Sequence, residues 1–355
     1  MRPRGHYRQK ARFSCEAAAH LHETPRIPSR HAMLLSLLLI LPVFLVIALG
    51  VVLDIFSVLP KQTGSIIGGY VLYAALPILM VHILAGSAPG DILHGGFWAA
   101  ILLSQVILYA VGYCGELLLG KRGHGKAAII ALSGSCCNVA FLGLPVVMSL
   151  LPGNKEALVA AGLAVITPNV VSIPCQVQLE YLKLSGKESK GAFARLARAV
   201  LLNPLMLGTF AGFALCVTGL GLWGPLDKAA AMVGNTTAPC MLLALGLDLR
   251  DRLRVAFSGD TRFGYFRLAA TTLLKLVVNP LLAWALLLLF GVTGTWLAVG
   301  VIMCGSATAL LTYVLAEIYG QVPEEVAMIA VTTNVLNLAT LTVLSALLRA
   351  QGLLQ

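Results

Sequence analysis

Apolar residues arrive along this chain in long blocks, each closed by charged, Gly or Pro residues. The blocks fall at about 34–53, 64–85, 96–119, 126–151, 156–181, 197–218, 226–247, 264–289, 295–319 and 324–348. A helix rising 1.5 Å per residue needs about 20 residues to cross roughly 30 Å of hydrocarbon. The pattern therefore predicts ten transmembrane spans and an all-α, polytopic membrane protein. A β-barrel would show short alternating strands instead.

Self-comparison refines this picture. Ala75-Leu76-Pro77-Ile78-Leu79-Met80 in span 2 parallels Thr237-Ala238-Pro239-Cys240-Met241-Leu242 in span 7, and Ala164-Val165-Ile166-Thr167-Pro168-Asn169-Val170 in span 5 parallels Ala330-Val331-Thr332-Thr333-Asn334-Val335 in span 10. Each echo is weak alone, but the two preserve order and spacing. They divide the chain into a first five-helix repeat, residues 34–181, a basic cytoplasmic loop, 182–196, and a second five-helix repeat, 197–348. A unit of five crossings is odd, so the second copy enters the membrane inverted, an architecture of secondary transporters with the site between the halves near the midplane.

Composition agrees: 58% of residues are hydrophobic and 11% charged, and mean hydropathy is +0.88, against about 25% charged in soluble domains. The net charge of +10 is sorted into an N-terminal tail and a few loops without interleaved aromatics, which excludes nucleic acid as a partner. Fourteen Lys/Arg lie in the loops 1–2, 3–4, 5–6 and 7–8, against three (Lys155, Lys228 and Arg349) on the other side. The positive-inside rule then puts both ends of the ten-helix core outside the cytoplasm. Residues 1–32 carry seven Lys/Arg and are expected to be disordered. Those charges fall on the outer side and weaken the asymmetry without reversing it. Met33 opens the first apolar run directly and is an alternative start. In the tail, Cys15, His20 and His22 offer three donors and no fourth, so no metal site is read. Seven of the eight cysteines lie inside apolar blocks and read as packing residues.

The chemistry concentrates in span 4, where Ser133-Gly134-Ser135-Cys136-Cys137-Asn138 precedes Gly143 and Pro145. Pro145 removes a backbone donor and Gly143 eases unwinding, so a broken helix is expected there, with half-helix ends presenting dipoles to a ligand. A Pro kink with small residues for close packing is the bland alternative. Span 9 offers a partner segment, Cys304-Gly305-Ser306-Ala307-Thr308-Ala309, again small and polar in mid-span. Asn138, Gly143, Pro145, Gly305, Ser306 and Thr308 are the candidate substrate contacts. Asn169, Asn334 and Asn337 either line the cavity or bond between helices. Lys275 is the one charged residue near the centre of a span, so it attracts an anion, supplies a positive charge to gating, snorkels, or caps carbonyls near Asn279-Pro280. His82, near the end of span 2, reads as structural.

Three segments carry a resemblance: Asn138-Val139-Ala140-Phe141-Leu142-Gly143-Leu144-Pro145, Leu274-Lys275-Leu276-Val277-Val278-Asn279-Pro280 and Tyr313-Val314-Leu315-Ala316-Glu317-Ile318-Tyr319-Gly320. Over residues 34–348 the chain resembles the auxin efflux carrier family, whose bacterial members include malate and malonate permeases. The resemblance implies two inverted five-helix repeats with broken helices 4 and 9 crossing near the midplane. It also implies a scaffold of helices 1, 2, 6 and 7, a transport domain of helices 3–5 and 8–10 moving in an elevator-like way, and Asn138 as the crossover Asn contacting substrate. Family members commonly carry a proline at the helix 9 crossover, and Ser306-Ala307-Thr308 has none.

The expectation is a secondary transporter of small organic anions, such as malate or malonate, in the inner membrane, with no cofactor. Proton or sodium coupling stays open, as does a homodimer. The rivals are a bile-acid-type sodium symporter and a membrane-embedded enzyme. The spans hold neither paired aspartates, a metal triad, nor a nucleophile with its base at depth.

Overall fold

The computed structural model describes residues 28–354 apart from 93, 119, 184–193, 195–197, 199–200 and 259–263. The basic tail as far as residue 27, its Cys15, His20 and His22, and most of the loop 182–196 lie outside them. The described chain is helical, and seven helices are long and apolar enough to cross a membrane, with shorter apolar helices beside them.

In chain order, the helices are α1 (Arg30–Ile55), α2 (Thr63–Ala85), α3 (Gly95–Leu118), α4 (His124–Ser135), α5 (Val139–Leu150), α6 (Lys155–Ala164) and α7 (Thr167–Lys183). They continue with α8 (Pro204–Thr218), α9 (Gly224–Asn235), α10 (Thr237–Ser258), α11 (Tyr265–Leu289), α12 (Gly294–Cys304), α13 (Leu310–Tyr319) and α14 (Pro323–Ala350). Expected edges move, that of span 6 to Pro204 among them. Helix α1 starts three residues before Met33, because Ser29 caps it by accepting a hydrogen bond from the Ala32 N–H. Span 7 continues to Ser258 as helix, so Arg250, Arg252 and Arg254 are helical rather than loop residues. Asp54 and Asp248 hold the first two at 3.4 and 3.6 Å, and buried Arg252 also lies 5.8 Å from the Tyr313 ring centroid, joining α10 to α13.

Apolar side chains point outward as well as inward. Leu38, Leu45 and Leu49 of α1, Tyr265 and Phe266 of α11 and Leu289 at its far end are exposed. Such a surface is stable only against lipid. Helix α10 packs against both α1 and α14, and α8 against α2. Small residues set the distance at these seams, as membrane helix pairs require. A Cβ added at Gly246 would collide with the Ile47 carbonyl, and one at Gly208 would stand 2.6 Å from the Pro77 carbonyl oxygen.

Among the described residues three π turns interrupt the helices, at Val71–Ala75, Val139–Gly143 and Leu274–Val278. Each ends two residues before a proline: Pro77, Pro145 and Pro280. Proline donates no N–H and clashes with the carbonyl four residues back. Widening the preceding turn to i→i−5 bonds, such as Leu144 N–H to Val139 O, absorbs that conflict without ending the helix.

Candidate functional site

Span 4 is broken, but upstream of Gly143 and Pro145. Helix α4 stops at Ser135, Cys136 turns extended at φ −74° and ψ 127°, and α5 starts after Asn138. Gly143 and Pro145 sit inside α5, where the π turn accommodates the proline. Gly143 serves packing: an added Cβ would stand 2.6 Å from Met303 Sδ on α12. Span 9 is broken too, without a proline, between the end of α12 at Cys304 and the start of α13 at Leu310.

The two breaks meet. Cys137 and Thr308 form an isolated antiparallel bridge, in which Asn138 N–H donates to Ala307 O at 2.8 Å and Ala309 N–H donates to Cys136 O at 3.1 Å. Buried backbone that leaves a helix must find partners within the protein, and each break supplies part of the other's need. Side chains complete the set. The Asn337 side chain on α14 accepts from Ala307 N–H at 3.0 Å and donates to Gly305 O at 2.8 Å. Thr333 accepts from Thr308 N–H at 3.2 Å, and the Thr308 hydroxyl donates to Ser133 O, near the end of α4, at 2.8 Å. Asn337 and Thr333 replace the proline as the device that holds the second break.

Helix α11 delivers a charge to the junction. Lys275 and Asn279 lie one turn apart on one face, in and just after the π turn. Lys275 Nζ donates to Cys304 O at 3.2 Å and to Cys137 Sγ at 3.1 Å; Asn279 Nδ2 donates to Ser135 O at 3.2 Å and to the same sulphur at 3.1 Å. Both residues are fully buried. Of the sequence alternatives for Lys275, carbonyl capping is observed, and its target is the C-terminal carbonyl of α12 rather than its own helix. A cation there also meets the negative end of the helix dipole. Among the described residues no carboxylate lies within ion-pair distance of Lys275; every described ion pair involves other residues.

Asn138 is 4% exposed, and its side-chain amide has no hydrogen-bond partner among the described residues. It stands at the N-terminus of α5, where the first N–H groups have no acceptor within the helix. The two positions nearest the breaks that retain partial access, Ala140 and Leu310, are at the starts of α5 and α13. Asn279 Oδ1 and Asn334 Oδ1 are among the buried polar atoms without a protein partner. An amide without a protein partner at a helix N-terminus, one residue from a sulphur that a lysine contacts, is an arrangement that fits an anion.

The other expected residues have local partners. Ser306 donates to Met303 O of the turn before it, and Asn334 donates to Ala330 O of its own helix. Half-buried Asn169 lies at the start of α7, with its backbone carbonyl taken by Ser172. His82 is structural, with Nδ1 2.6 Å from Asp227 Oδ1, tying α2 to α9. Cys137 and Asn279 are the site residues that sequence reasoning passed over. Cys137 looked like packing, and the signal that would have found Asn279 is its four-residue spacing from Lys275. Among the described residues no cluster of His, Cys, Asp or Glu has the makings of a metal site.

Known proteins resemble this chain in sequence. The chain is 25% identical over 318 residues to a putative malonate transporter of Rhizobium meliloti (strain 1021), which covers 89% of this chain and 96% of that relative. The profile of the membrane transport protein family matches residues 36–345. The chain thus belongs to that family, the family of the auxin efflux carriers, as a multi-pass secondary transporter and not an enzyme.

Proposed function

We propose that this carrier moves small organic anions, dicarboxylates such as malate or malonate among them, across the inner membrane, binding them at Asn138. The observation that carries the reading is the side-chain amide of Asn138, unpartnered among the described residues, at the N-terminus of α5 and one residue from the sulphur that buried Lys275 contacts. A carboxylate there would accept from the amide and the free N–H groups while gaining the helix dipole and the lysine charge. The putative malonate transporter among the relatives supports the same substrate class.

For the motion, ten crossings in two inverted five-helix repeats are the arrangement we favour, with basic loops in the cytoplasm and both ends of the core outside. Helices α1, α2, α8, α9 and α10 form the scaffold, and the remainder carries the site in an elevator-like alternating access. The direct link between the two breaks suits a transport domain that moves as one body.

Reconstituted vesicles test the site. Asn138→Ala is expected to lower malonate uptake at least tenfold with normal expression and folding, as loss of a hydrogen bond to a charged group, about 1.5–3 kcal/mol, implies. Unchanged affinity and rate in that variant would remove Asn138 from the site.

A bile-acid-type sodium symporter is the second reading, and one observation weighs against it. Half-helix C-terminal carbonyls are where coupling cations sit in such carriers, and the α12 end at Cys304 is already occupied by the Lys275 ammonium.

A further inference from the structure

Cys137 receives two N–H donors at its sulphur, from Lys275 and Asn279, each at 3.1 Å. A thiol sulphur is a weak acceptor, and the thiolate is the form that attracts cations and donors. Lys275 meanwhile is a fully buried amine for which no Asp or Glu lies at ion-pair distance among the described residues. A buried ammonium without a counter-charge is strongly disfavoured. The other titratable groups around the pair are also thiols. Cys304 comes from α12, with its sulphur 3.9 Å from the Ser104 hydroxyl of α3; Cys136 precedes on the same segment, and Cys175 of α7 lies beyond it. Of these sulphurs, only that of Cys137 takes both donors.

We infer that Cys137 and Lys275 form a thiolate–ammonium pair that gains one proton when an anion occupies the neighbouring Asn138 site, coupling anion movement to a proton. The inference rests on the anion reading of that site.

In the empty carrier the sulphur keeps the electron pair of its lost proton and faces Lys275 Nζ, so the pair is neutral overall. Asn138 is the next residue, with its Cα about 3.8 Å from that of Cys137. A carboxylate arriving there places a second negative charge beside the thiolate and raises its affinity for a proton. The proton comes from the buffered aqueous phase on the side where the anion entered, the buffer acid being left as its conjugate base. An S–H bond forms from the sulphur lone pair, and the ammonium is left to balance the carboxylate. On release the S–H bond breaks, the electron pair returns to sulphur, and the proton departs with the anion; no electron is transferred. The protonated form has acceptors waiting, since Sγ lies 3.5 Å from Cys304 O and 3.6 Å from Ser135 O. One geometry thus serves both forms, which a proton carrier needs.

Infrared spectroscopy of the purified full chain reads the S–H stretch directly, with the Cys137 contribution isolated by subtracting the Cys137→Ala spectrum. The expected result at neutral pH is no Cys137 S–H band in the ligand-free wild type, and its appearance when malonate is added. Lys275→Met should show the band without malonate. Calorimetric titration of wild type with malonate, in buffers of different ionisation enthalpy, should give about one proton taken up per malonate. A Cys137 S–H band already present in the ligand-free wild type, or malonate binding with neither band change nor proton uptake, overturns the inference. Absence of any malonate binding would count against the anion reading instead, while the ligand-free comparison of wild type with Lys275→Met still decides the pair.

Discussion

Asn334 and Asn337 lie one turn apart on α14 and have different partners. Asn337 satisfies two backbone groups of the second break, whereas Asn334 donates to its own helix. Each buried backbone group left without a partner costs about 1–3 kcal/mol. Asn337→Ala is therefore expected to lower the thermal midpoint of the purified protein by several degrees more than Asn334→Ala does, and to abolish uptake. Equal shifts in the two variants would show that Asn337 does not hold the break. Pro145 tests the break upstream in the same way. Because the chain leaves the helix at Cys136–Asn138 and not at the proline, Pro145→Ala should keep both fold and uptake, within about twofold in the vesicle assay. The lysine was legible as an anomaly from its depth in an apolar block. Its partner was not, because a thiol among apolar residues has the same signature whether it packs or accepts hydrogen bonds.

At the scale of elements, hydrophobic blocks located the helices because lipid imposes length and apolarity on every crossing. They located breaks less well. Glycine and proline mark where a helix is weak, but whether a weak point breaks or widens depends on a partner elsewhere in the chain. At Pro77, Pro145 and Pro280 a π turn resolves the conflict locally, and at Gly305–Ala309 residues from α14 and the other break hold the chain open without any proline. Long-range partnership has no local sequence signal. Glycine seams, by contrast, invite a local test. Replacing Gly246 by Val inserts side-chain volume against the Ile47 carbonyl and the Gly50 Cα of α1. An overpacked contact of this kind costs about 1–3 kcal/mol. A lowered melting temperature in detergent is the expected outcome, and Gly69→Val, where an added Cβ meets no atom within 4 Å, serves as the control that should not change.

For the whole molecule, the placement of Lys275 predicts malonate uptake that is unchanged when potassium replaces sodium on both sides of the vesicle membrane. Uptake that rises steeply with sodium would restore the sodium symporter reading. The bridge between Cys137 and Thr308 also governs how such a carrier is made. Residues 137 and 304 of this junction are 167 positions apart, and insertion into the bilayer proceeds from the N-terminus. When span 4 first enters the bilayer, the acceptor for Asn138 N–H and the donor for Cys136 O belong to residues that follow much later in the chain. Until α12 and α13 arrive, that backbone has either to stay wet or to remain coiled as ordinary helix. The unwound segment is therefore expected to form late in biogenesis, once α12 and α13 are in place. A nascent chain halted before α12 should therefore carry span 4 as one uninterrupted helix, with no binding site yet in existence.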